Sequence, residues 1–231
     1  MLQQTQVSTV IPYYQRFLQH FPDVRALAGA PVDQVMALWA GLGYYTRARN
    51  LHRCAQVVTQ QHGGVFPRDV TALAALPGIG PSTAAAIAAF AYAQRAAILD
   101  GNVKRVLCRV FGIDGFPGQL AVERQLWQRA ASLLPTRDIE AYTQGLMDLG
   151  ATVCTRTRPR CADCPWQARC VAYQTNRIAE LPAPRPKKIT PEKHSVMLWI
   201  THADELLLEQ RPPTGIWGGL QSLPELARLG G

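Results

Sequence analysis

Between Leu76 and Arg109 the chain combines a glycine turn, a helix of small residues and one aspartate, in the run LPGIGPSTAAAIAAFAYAQRAAILDGNVKRVLCR. The glycines of Pro77-Gly78-Ile79-Gly80-Pro81 let backbone come close to a ligand. A helix predicted over Ser82–Gln94 opens on N–H groups with no partner inside the helix, a natural seat for a phosphate, and the amides of Ile79 to Ser82 are expected to hold it. Asp100 follows after a short apolar run. An aspartate before Gly-Asn commonly caps a helix or shapes a turn, but a carboxylate also stabilises positive charge developing on a reacting group. A phosphate clamp followed by a lone carboxylate points to chemistry on a nucleic acid.

A second constellation is Cys154, Cys161, Cys164 and Cys170, spaced C-x6-C-x2-C-x5-C. Four thiolates this close in sequence can bind zinc or an iron-sulfur cluster, and the spacing leaves both open. Between the first two lies Thr155-Arg156-Thr157-Arg158-Pro159-Arg160. A loop pinned at both ends and carrying this much arginine makes a rigid basic finger for a phosphate backbone, with Arg158 at its centre. The other two cysteines, Cys54 and Cys108, stand apart in helical segments and read as buried residues. Crowded cysteines without a secretory leader describe a metal site in a reducing compartment rather than a disulfide framework.

The elements that must position these groups are helices. Apolar residues keep helical spacing over Leu2–Phe21, Val32–Trp39, Tyr45–His62, Val70–Ala75, Ser82–Gln94, Val103–Phe111, Val122–Leu134 and Ile139–Val153. Pro12 predicts a kink or break near Ile11. Met1 enters an amphipathic pattern with no capping residue ahead of it, so the first helix is expected to be cut into rather than started. Hydrophobic content of 48% supplies one good core with a smaller module, and the net charge is +8, carried by arginine, since Lys104, Lys187, Lys188 and Lys193 are the only lysines. That balance suits a polyanionic partner. No apolar run reaches membrane-spanning length, which predicts a soluble, cytoplasmic protein that does not enter membranes.

After Cys170 the segment Arg177–Lys188 is too proline-rich for a helix or central strand and reads as a basic, extended linker. Ser195–Thr201 and Glu205–Arg211 then alternate like strands around His202-Ala203-Asp204, predicting a hairpin in a stretch too short to fold by itself. The expected division is a helical domain over 1–153 with its hairpin at 76–82, a cysteine loop over 154–170, a linker over 171–193 and an incomplete second domain over 194–231.

The pattern L-P-G-I-G-P-S-T-A with L-D-G-N-V-K-R-V resembles the helix-hairpin-helix DNA glycosylases, and the chain is most similar to adenine glycosylases of the MutY type. The resemblance implies an all-α helix-hairpin-helix domain with a [4Fe-4S] cluster on Cys154, Cys161, Cys164 and Cys170. Arg211-Pro212-Pro213-Thr214-Gly215-Ile216-Trp217-Gly218-Gly219-Leu220 resembles the opening of the family's α+β Nudix-like domain, here truncated. The implied activity is removal of adenine paired with 8-oxoguanine or guanine in double-stranded DNA, by a monomer that flips the base out of the duplex.

The resemblance also assigns roles. Asp100 would stabilise the oxocarbenium-like sugar and Asn102 would orient that carboxylate or the sugar. Ser82 stands where bifunctional relatives place a lysine, so the product would be an abasic site rather than a cut strand. Gly78, Ile79, Gly80, Lys104 and Arg158 would meet DNA backbone, while Gln4 and Tyr44 would wedge into the stack beside 8-oxoguanine. Leu2, Val7 and Gln144 would contact the flipped adenine. The family's general-acid glutamate would lie just before Met1, which makes activity of these residues alone doubtful. Two alternatives stand beside this reading: an endonuclease III type lyase for oxidised pyrimidines, and a non-catalytic DNA-binding fragment.

Overall fold

Short helices succeed one another; Asp23, Asp69 and Asp100 cap the start of three of them, and Gly112 in the left-handed conformation ends the third. The computed structural model describes residues 1, 5–187, 192, 194–212 and 214–226. Among these residues ten α-helices run in the order α1 Val7–His20, α2 Val24–Gly29, α3 Val32–Trp39, α4 Thr46–Gln61, α5 Val70–Ala74, α6 Pro81–Tyr92, α7 Gly101–Phe111, α8 Leu120–Ser132, α9 Ile139–Asp148 and α10 Val171–Gln174. No helix among the described residues is long and apolar enough to cross a membrane.

Three departures from the sequence reading have local causes. Pro12 lies inside α1 without ending it. The bond it removes is the one to the carbonyl of Ser8, which lies on the exposed face and can turn to water. Helix α2 was not anticipated from its six residues, yet Asp23 caps it by accepting from the amides of Arg25 and Ala26 at 2.9 and 2.8 Å. The last predicted helix changes character after Asp148. Leu149–Val153 forms a π-turn, which shifts the helix phase and brings Gly150 rather than Leu149 fully inside.

The chain divides into two compact units, Met1–Arg185 and Pro186–Gly231. In the first, one layer of core joins α1, α3 and α4 through Phe17, Val35, Trp39, Ala48 and Ala55. A second joins α4, α5 and α6 through Val58, Leu73, Ala84 and Ala88. A third packs α6, α7 and α8 through Ala85, Val103, Leu107 and Leu126. Alanines along α6 let it sit close against both neighbours. A fourth cluster sets Val106, Val110, Cys170, Ala172 and Leu181 together. Residues 171–185, expected as linker, therefore fold back onto α7, and the division between units falls at Arg185.

The second unit contains two small antiparallel pairs. Strands β1 Thr201–His202 and β2 Glu205–Leu206 form the expected hairpin, turning through Ala203 at φ 50°. Strands β3 Glu209–Gln210 and β4 Gln221–Ser222 make the second pair. The hairpin sits where it was expected, with strands shorter than the alternating pattern.

Candidate functional site

The hairpin between α5 and α6 is built by local chemistry. Asp69 caps α5 through the amide of Ala72 at 2.8 Å, and the amide of Ile79 closes the turn on the Leu76 carbonyl at 3.1 Å. Gly78 has φ +78°, and a Cβ there would fall 2.8 Å from the Cβ of Asn50 in α4. Gly80 is different: its φ is ordinary and a Cβ would meet open space. Pro81 starts α6 with its fixed φ and has no N–H to lose. The Ile79 amide is thus committed to the turn and Pro81 offers none. Ser82 and Thr83 remain as the first-turn donors of α6 that no helical bond uses.

Ser82 ties this turn to the carboxylate. Its Oγ accepts from the amide of Leu99 at 3.0 Å, immediately before Asp100. Asp100 is the N-cap of α7, with Oδ1 accepting from the amide of Val103 at 2.8 Å. The carboxylate is half-buried, and its other oxygen takes no partner among the described residues. Both readings of the aspartate, a cap and a poised carboxylate, are compatible with this geometry.

Asn102, the second residue of α7, is held by Arg105 from one turn further along the same helix and is packed by Gly150 of the π-turn. Arg105 donates from Nη2 to Asn102 Oδ1 at 2.8 Å and to the Gly150 carbonyl at 2.6 Å, and from Nε to the Cys154 carbonyl at 2.7 Å. Burial lowers the pKa of Arg105 below its usual value, while Cys154 and Asp100 act in the opposite direction. Gly150 packs directly on Asn102: a Cβ there would lie 2.6 Å from Asn102 Cβ and 3.2 Å from its backbone. One turn further along α7, Arg109 is only 3% exposed. It donates to the carbonyls of Leu181 at 2.8 Å, Thr155 at 2.7 Å and Arg156 at 3.0 Å, and lies 3.4 Å from Cys154 Sγ. Neither Arg105 nor Arg109 stood out in the sequence, where an arginine on an amphipathic helix looks like any solvated one.

Cys154, Cys161, Cys164 and Cys170 line one cavity of about 20 Å³, closed on its apolar side by Val106 and Leu149. All six cysteines are free thiols. Burial and then the neighbouring Cys154, Cys170 and Cys164 push the Cys161 thiol up, and burial does the same to Cys170. Four thiolates in one apolar cavity therefore need compensating positive charge. Among the described residues no three His, Cys, Asp or Glu side chains are grouped as a single-ion site.

The remaining expected residues are distributed as follows. Tyr44 is 64% exposed, in a left-handed conformation at φ 47°, just before α4. Gly78 leans on Asn50 of the same helix, roughly 6 Å along its axis from Thr46, so the Tyr44 turn and the hairpin share one helix end. Arg156 and Arg158 are exposed, whereas Arg160 turns back to Asp163 and the Thr152 carbonyl. Lys104, expected on a phosphate, is instead bound to Glu123 of α8 at 2.6 Å. Gln144 is exposed and donates to Asp148 at 2.8 Å. Val7 is exposed at the start of α1. Leu2 and Gln4 lie outside the described residues.

A run of short packed helices carrying a glycine hairpin, with a capping carboxylate tied to it through Ser82 and a cysteine loop fastened to α7, defines a helix-hairpin-helix protein of the base-excision kind. Residues 1–132 match the HhH-GPD superfamily of base excision DNA repair proteins, and the chain belongs to it. It is 39% identical over 229 residues to the adenine DNA glycosylase of Buchnera aphidicola subsp. Baizongia pistaciae, covering 99% of this chain and 65% of that protein. It is 47% identical over 175 residues to human adenine DNA glycosylase, covering 75% of this chain and 32% of that one. The chain thus spans about 65% of the length of its bacterial relative. Among solved structures, a thermostable thymine-DNA glycosylase superposes with TM-score 0.68 at 30% identity, covering 75% of this chain and 80% of that one. A non-covalent endonuclease III–DNA complex shares the fold with TM-score 0.64 at 21% identity, covering 75% and 79%.

Proposed function

We propose that the protein to which these residues belong is a monofunctional DNA glycosylase that removes adenine mispaired with 8-oxoguanine or guanine. The observation that carries the reading is the placement of Asp100, a half-buried carboxylate with one oxygen committed to the α7 cap and the other open, tied through Leu99 and Ser82 to the hairpin. Breaking an N-glycosidic bond builds positive charge on the sugar, and a carboxylate held beside it without reorganising lowers that barrier. The Arg105 bond fixes the side chain of Asn102, two residues after Asp100. The serine at the start of α6 supplies no amine for a Schiff base, which favours an abasic product. Adenine as the base released is supported by the relatives named above.

Binding follows from the surroundings. The amides of Ser82 and Thr83 with the open space at Gly80 suit a backbone phosphate, and exposed Arg156 and Arg158 suit another. Tyr44 beside the hairpin would fill the gap left by a flipped base. The cysteine cavity fits a [4Fe-4S] cluster: four thiol donors line one apolar space, and four cysteine thiolates are the ligand set such a cluster takes. Cys154, Cys161, Cys164 and Cys170 would hold it, and when bound it supplies the charge that their thiolates need and a rigid frame for the arginine loop. DNA is the partner, and the protein acts as a monomer in the cytoplasm.

The test is adenine release from a duplex carrying adenine opposite 8-oxoguanine, assayed before and after alkali. Strand breaks only after alkali, lost in Asp100→Asn, are expected. Breaks without alkali would point to a lyase, and undiminished release by Asp100→Asn would remove the aspartate from the mechanism.

A further inference from the structure

The turn that carries Tyr44 is strained and is held from one side by a single guanidinium. Gly41, Gly43 and Tyr44 all have positive φ, at 95°, 65° and 47°. Glycine adopts these values freely, but a side chain rarely does, so Tyr44 keeps its conformation only because its surroundings impose it. Arg47 supplies much of that imposition. Its Nη2 donates to the carbonyls of Leu42 at 3.3 Å and Gly43 at 3.4 Å, and its own amide donates to the Tyr44 carbonyl at 2.9 Å. The guanidinium lies 5.4 Å from the ring centres of both Trp39 and Tyr44. Trp39, almost fully buried, adds a bond from Nε1 to the Gly43 carbonyl at 3.2 Å.

The same guanidinium reaches a second segment. Nη1 donates to the Met1 carbonyl at 2.8 Å and Nη2 to Thr5 Oγ1 at 3.2 Å. A planar fork with five donors can serve several acceptors on two segments at once, which a lysine ammonium on a flexible stem cannot reproduce. These contacts direct the guanidinium toward the protein's own carbonyls, aromatic rings and hydroxyl.

We propose that Arg47 is a positioning residue for lesion recognition: it locks the Gly41–Tyr44 turn against Trp39 and the Met1 and Thr5 segment. It thereby sets the direction in which the Tyr44 ring enters the duplex and the preference for a mispair over intact DNA. The inference rests on the reading of Tyr44 as the group that enters the stack. An arginine that merely neutralised phosphate would strengthen binding to every duplex and add to its salt dependence. One that aims an aromatic ring acts on the difference between duplexes.

The experiment measures binding of the chain to two otherwise identical duplexes, one with adenine opposite 8-oxoguanine and one with adenine opposite thymine, over a salt series. The proteins are wild type, Arg47→Lys, Tyr44→Ala, the double variant and Gly43→Ala. Gly43→Ala strains the turn through its φ of +65° while its Cβ meets open space, so it tests the turn even if Arg47→Lys folds poorly. Expected is a loss of about tenfold in the affinity ratio for Tyr44→Ala, the order of one base–aromatic stack, with a comparable loss for Arg47→Lys and Gly43→Ala. The salt slope should not change, and Arg47→Lys should cost nothing further when Tyr44 is already alanine. If Tyr44→Ala loses the ratio while Arg47→Lys and Gly43→Ala keep it, positioning by Arg47 is overturned. A further variant, Arg47→Met, removes the charge as well, and a salt slope lower by about one in it overturns the proposal in favour of a phosphate contact. A ratio unmoved by Tyr44→Ala overturns the reading of the tyrosine itself and takes this inference with it.

Discussion

Arg105 holds the side chain of Asn102 with a 2.8 Å bond from Nη2 to Oδ1, and the same guanidinium reaches the carbonyl of Cys154 at 2.7 Å. The helix that begins at Asp100 and the loop that begins at Cys154 are thus joined by one side chain. Removing it leaves the Gly150 and Cys154 carbonyls and the Asn102 amide without their partner. Arg105→Ala is expected to cost about 1–3 kcal/mol for the orphaned groups and to lower the rate of adenine release with Asp100 intact. Thermal melting and single-turnover kinetics check both parts. An unchanged rate in a folded variant would mean that Asn102 does not depend on Arg105.

Asp100 has two separable jobs. Asparagine also caps helices well, so Asp100→Asn should melt within a few tenths of a kcal/mol of wild type while adenine release disappears. Asp100→Ala should lose activity and about 1 kcal/mol of stability together. Equal destabilisation by the two variants would argue against the Val103 bond as the relevant cap.

Gly150→Ala drives a Cβ to 2.6 Å from Asn102 Cβ with backbone behind it. Neither neighbour is a flexible chain end, so the π-turn has to move off α7. A loss of about 1–3 kcal/mol is expected, with weaker binding through a displaced cysteine loop. A wild-type melting temperature and affinity would show that the turn yields freely.

Stability should fall on the alkaline side. Burial pushes the Cys108 thiol up from 9.0 to about 11, and burial raises Cys54 and Tyr142 too. A raised thiol keeps its proton longer in the folded state than in the unfolded one. Its contribution is therefore complete below pH 9 and is lost as pH rises through 11, by about 3 kcal/mol for Cys108. Melting between pH 8 and 11 should show this decline, and Cys108→Ala should start lower but fall less steeply. An equally steep fall in that variant would place the effect elsewhere.

Arg158 is exposed in a loop anchored at Cys154 and Cys161. Arg158→Ala should weaken binding to all duplexes by a similar factor and reduce the salt slope by about one. Loss confined to the mispaired duplex would instead make it a lesion-reading residue.

Much of this arrangement is legible in residue order because it is made by neighbours. Helical periodicity marks α3 to α8 within a few residues, Gly78 and Pro81 announce the hairpin, and Asp100 caps the helix that immediately follows it. Even Asp23 and α2 follow a local rule, though six residues are too few for periodicity to reveal. The left-handed turn at Gly41 to Tyr44 is likewise foreshadowed by its glycines.

The arginines are another matter. Arg105 meets Cys154 across 49 positions, Arg109 meets Leu181 across 72, and Arg47 meets Met1 across 46. Their acceptors are mostly main-chain carbonyls, which every residue possesses and which no letter of the sequence distinguishes. Lys104 makes the same point in reverse, since its pairing with Glu123 depends on how α7 crosses α8. Local backbone preferences are short-ranged and written in residue type, so composition and spacing determine the hairpin, its capping carboxylate and the thiol set. Which buried carbonyls come within 3 Å of a guanidinium depends on how the helices pack, and that is why the fastening of Asn102 and Tyr44 becomes visible only in the folded chain.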